Sequence, residues 1–302
     1  MHHLTKRCKL KLKQKIGVVG NGFVGGAVRF GFSPNVGVDA EIRVYDVNPN
    51  KSTHTLEETI NESDFIFLSV PTPANKDGSI NIDILDKALQ EIDEVPVGPR
   101  NNVILIRSTV IPGTTRKLQA KYSQLNLLFN PEFLTERSAN FDFINQSRFI
   151  IGSSDTLFSQ QKSNDLTNLF RQRFGHSISV LQTTYETAEM IKYMNNCFFA
   201  TKVSFMNEMY QVAKKSNVNW EDAVSGFVAD GRIGHTHLDV PGHDDKFGFG
   251  GSCFPKDIQA MINFGEVNGI DMKVLKGVWE KNLEVRPKQD WKKLKGRAVI
   301  DE

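Results

Sequence analysis

The stretch GFGGSCFPKD, residues 248–257, sets Cys253 in a glycine-rich turn followed by proline, lysine and aspartate. Two readings compete there. One is a small residue filling a tight bend. The other is a nucleophile, its thiolate favoured by the nearby Lys256 ammonium. A second chemistry-bearing stretch lies near the start of the chain, where GNGFVG gives Gly20, Gly22 and Gly25 in GxGxxG spacing. In a strand–turn–helix context Gly20 permits the tight turn, Gly22 lets backbone amides approach a pyrophosphate, and Gly25 allows close packing of helix on strand. The phosphates would rest on the helix N-terminus, at Phe23 and Val24. Asp46 ends the next strand-like run, VYDV, roughly 20 residues on, where an acid hydrogen-bonds ribose hydroxyls and repels a 2′-phosphate. NAD is therefore the expected cofactor, and no metal is expected.

Elements to position these residues are legible in the text. From Lys15, short β-rich runs alternate with helix-compatible segments: KIGVVG, EIRVYDV, DFIFLSVPT, NVILIRSTV, NLLFNPEF, RFIIGS and ISVLQT. That alternation predicts βαβ construction and an α/β fold with a Rossmann-like, doubly wound parallel sheet. NIDILDKALQEID and DTLFSQQKSNDLTNLFRQRF carry apolar residues at helical spacing. After Leu181 the texture changes. TTYE, residues 183–186, fits a capping box, and no glycine or proline follows until Gly226. Met190, Met194, Cys197, Phe198, Phe205 and Met209 supply an apolar stripe suited to a core or a subunit interface. The expected organisation is a basic tail (1–14), an NAD-binding domain (15–183), a mostly helical central, dimerising domain (184–285) and a C-terminal stretch (286–302). That last stretch reads as a tail or as the start of a further domain.

The bulk properties exclude several classes. Of 302 residues, 39% are hydrophobic and 24% charged, which suits a globular chain rather than a disordered one. A net charge of +2 argues against a nucleic-acid surface, and no apolar run approaches the roughly 18–20 residues of a membrane helix. Three scattered cysteines, Cys8, Cys197 and Cys253, suit reduced thiols and a cytoplasmic setting, not a disulfide framework or a zinc site. The basic opening lacks the apolar core of a secretion signal.

Taken in order, the motifs resemble those of the nucleotide-sugar dehydrogenase family, typified by UDP-glucose 6-dehydrogenase. The resemblance spans about Lys15 to Asp257 and rests on GNGFVG, VPTP (70–73), STVIPGTT (108–115), NPEFLTERSA (130–139), AEMIKYMNN (188–196), NE (207–208), DGRIG (230–234) and GFGGSCFPKD. It implies oxidation of C6 of a sugar nucleotide from alcohol to carboxylate by two successive hydride transfers to NAD. UDP-glucose is the expected substrate and UDP-glucuronate the product. In such enzymes the cysteine adds to the aldehyde as a thiohemiacetal, and hydride loss then gives a thioester that water hydrolyses. The matching cysteine is Cys253. Division of one hard step into two by a covalent adduct agrees with that assignment. The resemblance assigns Lys192 and Asn196, four apart and so on one helix face, to the catalytic lysine and asparagine, where fixed donors meet an oxyanion. Glu132, Glu136 and Asp257 are candidates for proton transfer and water activation, with Thr109 positioning a water or hydroxyl. The analogy favours Glu136 and Asp257. The implied cofactor set adds Lys51, Thr72, Thr109, Glu136 and Lys256. The implied substrate set is Glu132, Phe133, Leu134, Lys192, Asn196, Phe249, Gly250, Gly251 and Arg232, the last reaching into a neighbouring subunit of a homodimer.

Two departures stand out. PGHDDKFGFGG has His243, Asp244, Asp245 and Lys246 ahead of its glycines, and Arg137 stands where a small residue is usual in the family. Family members also carry a third, nucleotide-gripping α/β domain, and this chain stops at about its first strand. Expected consequences are completion of the site by a separate chain or a partner subunit, or an altered enzyme, because remote binding energy holds the reacting end in place. The competing readings are a two-electron β-hydroxyacid-type dehydrogenase, which does not need Cys253, and an NAD-binding protein without turnover.

Overall fold

The computed structural model describes residues 13–96 and 100–300, so Cys8 and most of the basic tail lie outside the described residues. Seven strands form one sheet: β1 (Lys15–Val19), β2 (Glu41–Tyr45), β3 (Phe65–Leu68), β4 (Val103–Ile106), β5 (Leu127–Phe129), β6 (Arg148–Ser153) and β7 (Ser179–Thr184). Their order is 2-1-3-4-5-6-7. Each strand falls on one of the β-rich runs, whose branched and aromatic side chains suit a pleated, buried surface. Strands β1 to β5 are mutually parallel, whereas β6 pairs antiparallel with β5 through Phe129 and Gly152, so the sheet is mostly rather than wholly parallel.

Helices α1 (Phe23–Gly31), α2 (Leu56–Asn61), α3 (Asp83–Asp93), α4 (Thr114–Lys121), α5 (Ala139–Ile144) and α6 (Leu157–Phe174) are interspersed with the strands. Beyond them run α7 (Tyr185–Lys215), α8 (Trp220–Val228), α9 (Phe254–Val267) and α10 (Lys273–Val285). The chain clusters into two compact units. The first holds 1–70, 90–107 and 121–182, and the second holds 71–89, 108–120 and 183–302.

In the first unit, Ile16, Val18, Phe67, Leu105, Leu128 and Phe149 of the sheet pack with Phe32 at the end of α1, Phe143 of α5 and Phe170 of α6. Phe149 and Phe170 stack at 3.9 Å between centroids, and Phe32 meets Phe143 at 6.2 Å. In the second unit, α7 runs for 31 residues because nothing in it breaks a helix, and it ends at Lys215, before Asn219, which caps α8. Its start differs by one residue from the expected capping box. Thr184, not Thr183, is the cap and accepts from the Thr187 amide, while Glu186 turns to Arg116. The sequence pattern fits only Thr183 with Glu186, but Glu186 is paired with Arg116 of α4, and the cap moves to the next threonine. Along α7 the predicted apolar stripe divides: Cys197 faces the core with Tyr193 and Ala200, whereas Met190, Met194, Phe198 and Phe205 are exposed, as is Val212 outside the stripe. At the C-terminal end, Trp291 and Ala298 are buried, and Ala298 and Ile300 share backbone hydrogen bonds with Ala74.

Phe143 is fully buried where α5 packs on α1, and truncation there leaves a cavity that the sheet cannot collapse to fill. Phe143→Ala is expected to cost about 3–5 kcal/mol, read as a lowered urea midpoint with an unchanged m-value.

Candidate active site

In the first unit the glycine turn follows β1 at the point where the strand order reverses between β1 and β3, the crevice position for ligands of open α/β sheets. Gly20 has φ +88°, a left-handed conformation suited to glycine, and Gly22 is the N-cap of α1. A Cβ built on Gly22 meets nothing within 4 Å, so no packing inside the protein calls for glycine there. What it leaves open is the space before the first turn of α1, where the amides and the helix dipole favour a phosphate. Asp46 completes the arrangement: one oxygen accepts from the Asn21 amide at 2.7 Å and the other from the Asn48 amide at 2.8 Å. Asn21 also donates to the carbonyl of Lys51 at 2.7 Å. The donor set thus fits a dinucleotide, with pyrophosphate on Gly22, Phe23 and Val24 and ribose beside Asp46.

The NPEF segment of the same unit hangs from a side chain that sequence reading passed over. Arg107 is buried at the end of β4, with its charge over the rings of Phe67 and Phe143 at 5.8 Å each. It donates to Asn130 Oδ1 at 2.5 Å, and Asn130 Nδ2 in turn donates to the carbonyl of Ile150. Burial lowers the Arg107 pKa to about 10 against the opposing pull of the Glu132 charge. Glu132 is itself buried, with Oε2 accepting from the Leu134 amide at 2.7 Å. Glu136, the carboxylate favoured by analogy, is exposed on the lip of an open cavity of about 530 Å³, along with Phe23, Arg29, Phe30, Arg137 and Phe141. Leu134 lies in the apolar core, and Phe133 receives the Arg148 guanidinium at 4.6 Å.

The second unit brings together the residues with nucleophilic and proton-handling chemistry. Lys192 and Asn196 are both buried on the inner face of α7. Asn196 Nδ2 donates to Asp257 Oδ2 at 2.6 Å, and Lys256 Nζ reaches Asp257 Oδ1 at 2.5 Å. This network pins the first turn of α9 against α7. Cys253 is the N-cap of α9 and half-buried, so its sulfur stands at the positive end of that helix. Lys256, expected beside the thiol or the cofactor, pairs with Asp257, since two buried opposite charges one residue apart meet at lower cost than either does alone. Cys197 is the contrasting thiol: burial pushes its pKa well up, the inert setting of a core cysteine.

The glycine loop before Cys253 is fixed from within. Asn282 accepts from the Phe249 amide at 2.7 Å and donates to its carbonyl at 3.1 Å. Phe249 packs its ring against Phe254 and Trp279, so that side chain belongs to the core rather than to an open surface. A Cβ on Gly250 would run into the Arg286 guanidinium, so glycine there serves internal packing; Gly251 has φ +73° with open space around it. Arg286 binds Asp244 at 2.6 Å and Asp290 at 2.8 Å, and Lys246 binds Asp290 at 2.6 Å. The Asp and Lys residues that depart from the family pattern therefore hold the loop in place. Thr72 and Thr109 are joined, Thr72 Oγ1 donating to the carbonyl of Thr109 at 2.8 Å. Arg232 is highly exposed and pairs locally with Asp230. Among the described residues no cluster of His, Cys, Asp and Glu suits a metal ion, and no helix is long and apolar enough to cross a membrane.

Comparison with known proteins agrees with this architecture. Residues 49–173 match the NAD binding domain of the UDP-glucose/GDP-mannose dehydrogenase family, and residues 186–284 match its central domain. The chain belongs to the UDP-glucose/GDP-mannose dehydrogenase family. It is 35% identical over 245 residues to a UDP-glucose 6-dehydrogenase of Rickettsia typhi, covering 78% of this chain and 53% of that protein. It is 34% identical over 233 residues to UDP-glucose 6-dehydrogenase YwqF of Bacillus subtilis, covering 75% of this chain and 50% of that one. The chain thus spans about half the length of the curated relatives it matches. Among solved structures, a UDP-glucose dehydrogenase from Pyrobaculum islandicum superposes with TM-score 0.77 at 27% identity, covering 91% of this chain and 69% of that one. The 3-hydroxyisobutyrate dehydrogenase of Mycobacterium tuberculosis shares the fold at TM-score 0.69 and 14% identity, covering 92% and 95%.

One titratable group was not anticipated. Glu189, three residues before Lys192 on the same face of α7, is fully buried, and burial raises its pKa to about 7 against hydrogen bonds from the Thr115 side chain and the Thr115 and Gly113 amides that pull it down. The folded protein keeps a proton on Glu189 that the unfolded chain releases near pH 4.5. Its contribution is therefore complete below about pH 4.5 and is lost as pH rises through 7. Wild type is expected to lose up to about 3 kcal/mol relative to Glu189→Gln across that window, measured as urea midpoints at pH 4.5, 6 and 8.

Proposed function

We propose that this protein is an NAD-dependent nucleotide-sugar dehydrogenase that oxidises C6 of UDP-glucose, or a close analogue, from primary alcohol to carboxylate. The observation that carries this reading is the grouping, within one compact unit, of a half-buried thiol at a helix N-terminus and a buried Lys192–Asn196 face tied to Asp257. Bound NAD supplies the hydride acceptor, one equivalent for each two-electron step, and the residues to hold it are Gly22, Phe23, Val24 and Asp46.

The Lys192 ammonium and the Asn196 amide orient the C6 oxygen and stabilise negative charge on it as each tetrahedral centre forms. Once the aldehyde has formed, Cys253 Sγ adds to its carbonyl carbon. The C–H bond of the resulting thiohemiacetal breaks with departure of the second hydride, leaving an acyl carbon bonded to sulfur. Water attacks that carbon, the C–S bond breaks, and the thiolate leaves as the acid forms. A buried carboxylate accepts a proton from that water. Burial favours Glu132 over the exposed Glu136 for this task, with Asp257 holding Asn196 and Lys256 in place. Lys51 and Thr72 complete the proposed cofactor contacts. The cytoplasm, with its reduced thiols, is the proposed compartment.

The exposed stripe of Met194, Phe198, Phe205 and Val212 on α7 supports a homodimer, with Arg232 offered to the neighbour's nucleotide.

Purified protein is to be assayed for NADH with a panel of UDP- and GDP-sugars, counting acid formed. Two NADH per acid is the expected ratio, with Cys253→Ser losing acid formation by a factor of about 10³ or more and Asp46→Ala weakening NAD. Acid produced by Cys253→Ser at the wild-type rate would overturn the thioester route, and one NADH per product would favour the two-electron alternative.

A further inference from the structure

Glu189 does more in the second unit than bury a carboxyl. Its two oxygens are divided between two backbone amides: Oε2 accepts from Gly113 N at 2.6 Å and Oε1 from Thr115 N at 2.7 Å. These are donors at the start of α4, where a helix leaves its first amides without partners of its own. The segment they belong to begins at Thr109. Its other attachments are the Thr72 hydroxyl on the Thr109 carbonyl, the Thr114 hydroxyl on the Ile111 carbonyl, and Ile111 itself in the apolar cluster around Tyr193. Glu189, Lys192 and Asn196 stand at i, i+3 and i+7 on α7, so one helix face carries both the clamp and the two donors of the proposed oxyanion site.

We propose that Glu189 is a positioning residue: by gripping the Gly113 and Thr115 amides it fixes the 109–115 segment, and with it Thr109, to the helix face that bears Lys192 and Asn196. The chemical role of Thr109 in this inference rests on the proposed function; the mechanical link does not. The ionised carboxylate serves both amides, one per oxygen, whereas a protonated carboxyl has only one oxygen that is purely an acceptor. Among the groups that bear on Glu189 are Glu186, itself paired with Arg116 of α4, and the Tyr193 phenol, whose pKa burial holds well above its usual value, with the buried Lys192 one turn along the same face. Glu186 is shifted down and Tyr193 up, both away from neutrality, whereas Glu189 is shifted toward it.

Two signatures separate this role from ordinary core packing. Local protection of the Gly113 and Thr115 amides should strengthen as pH rises through 7, while global stability falls over the same interval because the charge is expensive to bury. A residue that only filled space would move both together. Amide exchange, corrected for the intrinsic pH dependence, is to be followed by NMR in the full chain. Exchange at Gly113 and Thr115 is expected to quicken by about tenfold or more in Glu189→Ala, to be intermediate and flat with pH in Glu189→Gln, and to leave the α9 amides unchanged. The second arm is a double-mutant cycle on NADH production with Thr109→Ala. Loss of Glu189 should lower kcat with little change in KM, and Glu189→Gln should cost nothing further once Thr109 is gone. Unchanged protection at both amides in the Glu189 variants, or fully additive losses in the cycle, overturns the proposal. If Glu189→Ala fails to fold, the wild-type and Glu189→Gln pH series decide the matter. If wild type makes no NADH with any sugar nucleotide, the proposed function falls and the exchange arm still decides the clamp.

Discussion

The arrangement of the second unit depends on one buried ion pair and the amide beside it. Lys256 and Asp257, adjacent in sequence on the first turn of α9, neutralise each other away from water, and Asn196 of α7 takes the remaining carboxylate oxygen. A buried charge without a partner is expensive, so breaking any member leaves the others uncompensated. The network therefore fixes the start of α9 relative to α7. Since Cys253 is the cap of α9, it also fixes where the sulfur stands with respect to Lys192 and Asn196. Rigid elements rather than loop contacts set the proposed chemistry, which is how a site is held to the tolerance that catalysis demands.

The first unit uses a different device for its NPEF segment. Arg107 sits between two phenylalanine rings and donates to Asn130, which donates onward to the carbonyl of Ile150. A guanidinium tolerates such a place because it is more weakly hydrated than an ammonium and stacks on aromatic faces. One unit thus fixes its chemistry-bearing segment by a buried ion pair, the other by a relay of hydrogen bonds.

Local patterning made the strands and the long helix legible. Runs such as VILI and FIFL have few alternatives to a buried strand, and a long run free of glycine and proline, from Tyr185 to Ser225, has few alternatives to helix. The glycine turn and the order of motifs pointed to the family. What stayed hidden was set by partners distant in the chain. The antiparallel course of β6 leaves no trace in its composition. The clustering of 71–89 and 108–120 with the helical unit carries no local mark. Arg107, inside an apolar run, reads as a strand residue, and Glu189 reads as a solvated helix acid until the amides it serves are seen. Lys256 was recognised by type, yet only the fold shows that its charge is committed to Asp257.

The close approach of Gly250 to Arg286 has an evolutionary corollary. The arginine is held by Asp244 and Asp290 and cannot retreat, so any side chain at 250 requires a smaller group at 286, and that in turn strands two aspartates. The four positions form a unit of inheritance: lineages should exchange them as a set or not at all, and a suppressor of a damaging change at 250 is to be sought on α10's C-terminal boundary rather than near the thiol.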